Sequence, residues 1–113
     1  MATNAIARRL DTIQQKSALK SVDVANLLGA RPETVSRWNQ GKAFPRPDAQ
    51  RILLSLEYIV DQLSDLYEPQ EARLWIYSPQ KLLGGNTPAA LIQQGRVEEV
   101  MSVIDQLLEG VYV

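Results

Sequence analysis

The sequence contains no cysteine and no histidine among its 113 residues. These absences exclude disulfides, thiol nucleophiles, zinc fingers and acid–base catalysis by an imidazole. A chain without cysteine fits a reducing compartment, and we expect a cytoplasmic location. No apolar run approaches the ~20 residues that a membrane span needs. Residues 1–11, MATNAIARRLD, are followed by no long apolar run and do not predict a signal peptide.

The sequence also lacks patterns that would indicate strands or an active site. No stretch of useful length alternates apolar and polar residues, which leaves helices as the expected structure. The scattered Ser, Asp and Glu residues form no recognisable nucleophile–base pair, and Gly84–Gly85 alone is too weak to predict a phosphate-binding loop. We therefore expect an all-α protein that is not an enzyme, with no catalytic residues, no metal site and no cofactor.

Charge is unevenly distributed, although the formal net charge is only −1. Residues 1–60 contain nine Lys/Arg and five Asp/Glu, a net of +4. Residues 61–113 contain three Lys/Arg and eight Asp/Glu, a net of −5. A cationic half suits nucleic acid, whereas the acidic half, which phosphate would repel, suits a different partner. Chance fluctuation in a small domain is the alternative explanation.

Residues 21–41, SVDVANLLGARPETVSRWNQG, contain two short helical patterns joined by a glycine. Two such helices can cross closely only where a side chain is small, and Ala25 provides it. Gly29 tolerates the positive φ that the turn between them requires. This spacing predicts a helix-turn-helix, whose second helix would enter the major groove of DNA.

The candidate DNA-binding residues lie on the second of these helices, at positions that are not needed for packing. Arg37 can read guanine or hold a phosphate, Ser36 can bond a phosphate or a base edge, and Glu33 can accept from cytosine. Trp38 fits a core anchor better than a base-stacking group. A helix-turn-helix that no longer binds DNA is the alternative. The candidates, including two cations beyond the helix, are Arg31, Glu33, Ser36, Arg37, Lys42 and Arg46.

Periodicity and capping residues predict the helices around this motif. A first helix is expected over residues 4–15, with Asn4 as its N-cap. Ser21 is the predicted N-cap of the second helix, and Asp48 that of a long fourth helix. The fourth helix has an apolar seam that would link two subdomains or form a dimer face. Its members are Ile52, Leu56, Ile59, Leu63 and Leu66.

Proline and glycine divide the C-terminal part into short elements. We expect a helix over residues 70–76, a single turn within 79–83, a short helix over 88–94 and a last helix over 97–109 that Gly110 ends. The predicted organisation is a helix-turn-helix DNA-binding region over residues 1–47, a linking or dimerisation helix over 48–68, and a C-terminal module over 69–113.

The C-terminal module resembles the toxin-binding domain of Xre/MbcA/ParS-type antitoxins, and the resemblance is strongest to the MbcA type. The order of parts also matches, because an Xre-like helix-turn-helix and a linking helix precede the module. The resemblance covers nearly the whole chain. The residues that carry it are Trp75, Ser78–Pro79, Leu82–Leu83–Gly84, Pro88, Leu91–Ile92, Gly95 and Gly110.

The resemblance implies an antitoxin of a type II toxin–antitoxin system. Its partners would be a RES-domain toxin that consumes NAD⁺, operator DNA of its own operon, and a second copy of itself within a larger toxin–antitoxin complex. The antitoxin would cover the entrance to the toxin's active site. The implied toxin-binding residues are Trp75, Pro79, Lys81, Leu82, Gly84, Pro88, Gly110, Val111, Tyr112 and Val113.

Two alternatives remain open from the sequence. Each of these residues also has a purely structural explanation. Trp75 would serve equally well in the core, and the prolines and glycines could mark only the starts and ends of helices. The whole chain could also be a stand-alone helix-turn-helix transcriptional regulator, with the C-terminal module serving only dimerisation or a small ligand.

Overall fold

The computed structural model describes residues 4–111. Regular structure in this range is entirely helical, which confirms the all-α class. A single 3-10 turn covers Lys81–Leu83. The α-helices are α1 (Ala5–Ser17), α2 (Ser21–Leu28), α3 (Pro32–Asn39), α4 (Pro47–Leu63), α5 (Pro69–Ile76), α6 (Pro88–Gln93) and α7 (Val97–Val111).

Side-chain hydrogen bonds to backbone amides stabilise the starts of the first two helices. Asn4 caps α1, as predicted, because its Oδ1 accepts from the amide of Ala7 at 2.7 Å. The predicted cap of α2 at Ser21 is wrong, since Lys20 is the N-cap and Ser21 is already helical. The carboxylate of Asp23 instead accepts from the Lys20 amide at 2.9 Å, which occupies a donor that the helix leaves unpaired.

Two further helix ends differ from the prediction. Pro47 occupies the first helical position of α4, where its missing N–H has no cost, so Arg46 is the N-cap and the predicted cap at Asp48 is wrong. Gly110 was expected to end the last helix, but α7 continues through it to Val111. Gly110 has no positive φ, so it does not act as a left-handed terminator here.

The central helix of the fold is α4, which packs against α1 and α7. Most of its predicted seam fills the core of the monomer. Ile52 is only partly buried, and Leu66 lies beyond the end of the helix, so the buried face is shorter than predicted. The residues of α4 with no exposed surface are Leu53, Leu56, Ile59, Val60 and Leu63.

One continuous hydrophobic core joins the N-terminal and C-terminal helices of the described range. Helix α5 packs against α1, and α6 packs against α2. The C-terminal helices therefore complete the core on which the helix-turn-helix rests. The division into three functional segments stays a prediction. No helix between residues 4 and 111 is both long enough and apolar enough to cross a membrane.

Candidate functional site

The predicted helix-turn-helix is formed by α2 and α3, which pack closely through small and β-branched side chains. Ala25 is 1% exposed and Val35 is fully buried. Gly29 has a φ of +70°, the left-handed conformation that the tight turn needs. The amide of Ala30 donates to the Ala25 carbonyl at 2.9 Å and closes the end of α2. This geometry leaves one side of α3 free to face a partner.

All six predicted DNA-binding residues are exposed, and they lie on α3 and next to it. Trp38 is only 4% exposed and points into the core, which confirms its prediction as an anchor. The hydroxyl of Ser36 accepts from Nε2 of Gln40 at 3.4 Å, a weak contact that leaves it accessible. The exposed set is Arg31, Glu33, Ser36, Arg37, Lys42 and Arg46.

The cations of this surface differ from most others in having no acidic partner. The ion pairs of the described range are Arg9–Glu57, Lys16–Asp61, Arg51–Glu98, Arg73–Asp23 and Arg96–Glu99. Within residues 4–111, therefore, no carboxylate forms an ion pair with Arg31, Arg37, Lys42 or Arg46. These four unpaired cations outnumber the one exposed carboxylate of the set, Glu33, so the surface is net positive and attracts phosphate.

The C-terminal module presents a second surface around the 3-10 turn, which we call the Leu82 turn (residues 79–86). The Gln80 amide donates to the Asn86 carbonyl at 3.1 Å, and the Gly85 amide donates to the Gln80 carbonyl at 2.9 Å. These bonds close the turn on itself. Gly84 has a φ of +66°, which a residue with a side chain would adopt only with strain. Leu82 is consequently held outward with 58% of its surface exposed.

A shallow groove of about 410 Å³ separates the Leu82 turn from α7. Its apolar lining comes from Leu82, Leu83 and Val103. Glu98 and Glu99 also line it, and each forms an ion pair with an arginine. Arg96 donates to Glu99 at 2.7 Å and lowers the pKa of that carboxyl. An apolar lining of this kind suits a partner with an exposed apolar side chain.

The other predicted toxin-binding residues fall into three groups. Pro79 and Lys81 are exposed beside Leu82. Trp75 is 8% exposed and Pro88 is buried, so their side chains support the surface and offer little of it to a partner. Gly110 and Val111 end α7, whereas Tyr112 and Val113 lie outside the described residues.

Sequence reasoning missed an exposed apolar residue on α5. Leu74 is 68% exposed. The signal was present, because Ala72, Trp75 and Ile76 follow the spacing of a buried helical face and leave Leu74 off that face. Its neighbours Arg73 and Tyr77 line a shallow pocket with it.

Sequence reasoning also missed a polar cluster between α2 and α5. Arg73 donates to Asp23 through Nη1 at 2.6 Å and through Nη2 at 3.0 Å. The guanidinium also donates to the Ala18 carbonyl at 3.3 Å and lies 5.2 Å from the centre of the Tyr77 ring. The hydrogen bonds from Arg73 lower the pKa of Asp23, and burial raises the pKa of Tyr77. No local pattern predicts a pair so distant in sequence.

The fold and these two surfaces define a class: an all-helical protein with a helix-turn-helix and a second helical module on one shared core. No family model matches the chain. It is 30% identical to the mycobacterial cidal antitoxin MbcA of Mycobacterium tuberculosis and of Mycobacterium bovis, over 113 residues that cover 100% of both chains. It is 32% identical over 92 residues to the probable mycobacterial cidal antitoxin Rv3188 of M. tuberculosis, covering 81% of this chain and 78% of that one.

The fold is also similar to that of a known antitoxin. The structure matches a chain in the crystal structure of the M. tuberculosis MbcT–MbcA toxin–antitoxin complex with a TM-score of 0.82 and 30% sequence identity. The match covers 97% of this chain and 99% of the other. The chain therefore belongs to the MbcA family of antitoxins, as the resemblance in its sequence predicted.

Proposed function

We propose that this antitoxin neutralises a RES-domain toxin that consumes NAD⁺ by covering the entrance to the toxin's active site. The observation that supports it most is the likeness of the whole chain to MbcA in a complex with its toxin. Inhibition of this kind needs bulk and fit but no chemistry of its own, which suits a chain without cysteine or histidine. That the toxin has a RES domain and consumes NAD⁺ is what the resemblance of the C-terminal module to the toxin-binding domain of these antitoxins implies.

The toxin-facing surface in this proposal is the Leu82 turn with the adjacent groove, continued by the C-terminal end of α7. Leu82 is a suitable anchor, because an exposed leucine on a closed turn loses little conformational entropy when a partner covers it. Residues 110–113, GVYV, would fill a pocket with aliphatic and aromatic side chains.

The test is co-expression with the polypeptide that the neighbouring gene encodes. The wild-type antitoxin should co-purify with that polypeptide, abolish its NAD⁺ turnover and restore growth. Leu82→Asp and a deletion of residues 110–113 should each weaken inhibition. Val22 is also 58% exposed but lies on α2, so Val22→Asp is the matched control and should inhibit normally.

The outcome of the Leu82→Asp experiment depends on a folded variant, which thermal unfolding would establish. A neighbour-encoded protein that ignores the wild-type chain, or whose turnover is unchanged by it, would overturn the proposal. Equal loss of toxin inhibition and DNA binding in the deletion variant would instead indicate global unfolding.

We also propose that the antitoxin binds operator DNA through α3 and regulates its own operon. The supporting observation is the group of exposed cations around α3 that have no acidic partner within residues 4–111. In this role Arg37 would read a base edge or hold a phosphate, and Lys42 and Arg46 would hold phosphates. A stand-alone transcriptional regulator would rest on the same cations, and the absence of a toxin gene nearby would favour it.

A homodimer completes the proposal, because a helix-turn-helix dimer reads two half-sites at once. The internal face of α4 is occupied by the core, so the dimer contact would use its outer face. Leu54 and Tyr58 lie there with 40% and 39% of their surfaces exposed. Light scattering should give a dimer for the wild type and a monomer for Leu54→Glu; a wild-type monomer would remove the homodimer from the proposal.

A further inference from the structure

The loop between α3 and α4, which we call the basic loop (residues 40–46), exposes a single aromatic ring. Phe44 has 72% of its surface in solvent, more than any other large hydrophobic residue of the described range. Its neighbours on both sides turn inward, since Pro45 is buried and Ala43 packs against the core. The loop is therefore anchored on either side of Phe44, and the ring points away from the protein.

Hydrogen bonds fix the basic loop to the end of α3. The Lys42 amide donates to the Arg37 carbonyl at 2.9 Å, and the Gly41 amide donates to the Trp38 carbonyl at 3.1 Å. Gly41 adopts a φ of +76° to make this reversal. The position of Phe44 relative to α3 is thus set by the backbone, and a partner that docks on α3 meets the ring in a defined place.

The charges around Phe44 indicate which kind of partner this surface would bind. Lys42 and Arg46 are exposed two residues to either side, and neither pairs with a carboxylate in the part of the chain that the structure describes. An apolar ring between two uncompensated cations complements a polyanion that also has apolar surface. Duplex DNA has both, because deoxyribose and base edges are accessible between the phosphates of the minor groove.

We propose that Phe44 is a DNA-contacting residue, which packs in the minor groove next to the major-groove segment that α3 enters. Lys42 and Arg46 would hold phosphates on the two sides of the ring. This inference rests on the proposed DNA binding and adds to it an apolar contact outside the helix-turn-helix. Minor-groove contacts of this kind use phenylalanine and other apolar side chains.

The test compares Phe44→Ala with wild type in binding to fluorescein-labelled duplexes that tile the segment upstream of the operon. The full-length antitoxin is measured alone and in complex with its toxin, over a series of salt concentrations. We expect Phe44→Ala to weaken binding about tenfold, the loss typical of an aromatic anchor. The slope of affinity against salt should not change, because no charge is removed.

Two control variants separate this effect from others. Arg46→Ala should reduce the salt slope by about 1, since it removes one phosphate contact. Leu74→Ala removes an apolar side chain that is also largely exposed, on α5, and should leave DNA binding unchanged. Phe44→Leu, which keeps an apolar group, should recover part of the lost affinity. Truncating a ring that is already in solvent should leave thermal stability as it was.

Three results would overturn the inference. Wild-type affinity in Phe44→Ala, while Arg46→Ala weakens binding, would reject the Phe44 contact and leave the proposed DNA binding intact. Loss of toxin inhibition in Phe44→Ala with normal DNA binding would assign the ring to a protein interface. A wild-type chain that binds no duplex, alone or with toxin, would reject both the contact and the DNA binding on which it depends.

Discussion

Asp23 of α2 and Arg73 of α5 form a doubly hydrogen-bonded ion pair, although 50 residues separate them in the sequence. The side chain of Asp23 is 13% exposed and that of Arg73 is 36% exposed, so solvent screens the pair only in part. Helix α2 belongs to the helix-turn-helix, and α5 begins the C-terminal module. The pair therefore joins the cationic and acidic halves of the chain, in addition to the hydrophobic core that they share.

Breaking this pair should destabilise the protein without emptying the core. We expect Asp23→Asn and Arg73→Met each to lower the free energy of unfolding by about 2 kcal/mol, because each leaves a partly buried polar group without its charged partner. Asn keeps an acceptor for the Lys20 amide, so the start of α2 should persist. Urea unfolding of both single variants and the double variant measures the coupling. Additive losses would show that the two residues do not act as a pair.

The same pair predicts a dependence of stability on acid. Hydrogen bonds from Arg73 lower the pKa of Asp23 below its usual value of 3.8. A carboxyl with a lower pKa in the folded state stabilises the protein above its unfolded pKa, and this contribution is lost as the pH falls through the folded value. The difference in unfolding free energy between wild type and Asp23→Asn should thus be constant near neutral pH and shrink below a pH of about 4.

Comparison with Asp23→Asn removes the effects of all other carboxyls that titrate in the same range, including Glu99. Chemical denaturation at a series of pH values provides the measurement. A difference that stayed constant down to the lowest pH at which both variants fold would mean that Asp23 does not gain its stabilising charge from Arg73.

Gly110 offers a test of where the last helix ends. Within a continuous helix, glycine is less favourable than alanine, and a Cβ at this position would meet no atom within 4 Å. Gly110→Ala should therefore stabilise the protein by about 0.5 kcal/mol. Gly29→Ala is the matched control: its Cβ also has open space, but its φ of +70° should make alanine destabilising by about 1 kcal/mol. Destabilisation by Gly110→Ala would contradict a helix that continues to Val111.

A substitution of Arg37 tests whether the two proposed activities, DNA binding and toxin inhibition, are separable. Arg37→Ala should weaken binding to operator duplexes. Loss of a phosphate contact would lower the salt slope by about 1, whereas loss of a base contact would relax the base preference at one position. Toxin inhibition should remain at the wild-type level. Arg51→Ala is the control, since Arg51 is also exposed but pairs with Glu98 at 3.0 Å on another surface. Unchanged DNA affinity in Arg37→Ala would remove α3 from the proposed interface.

Much of the fold could be predicted because its signals are local. Apolar residues three and four positions apart predicted the helices, and glycine and proline located most of their ends. The errors lie where two residues compete for one role. Pro47 displaced the cap from Asp48, and Lys20 stands before Ser21 as the cap of α2. At Gly110 the helix continued because glycine permits a left-handed end without requiring it.

The candidate surfaces were predicted less completely than the helices. The sequence indicated the cations of α3, whose exposure follows from their places off the apolar face. It did not indicate that Trp75 and Pro88 would be buried, or that Leu74 and Phe44 would be exposed. Whether a large apolar side chain is covered depends on which other helix reaches it, and that information is not local.

The order of the amino acids alone determined the helical class, the antitoxin family and the separation of charge between the two halves. The first two depend on which residue types recur at which spacings, and the third depends only on the composition of each half. The tertiary structure alone decided that the apolar residues of α4 would be buried in the core of the monomer and that Asp23 would pair with Arg73. These outcomes depend on the simultaneous docking of helices distant along the chain, and their physical basis is the exclusion of water from one shared core.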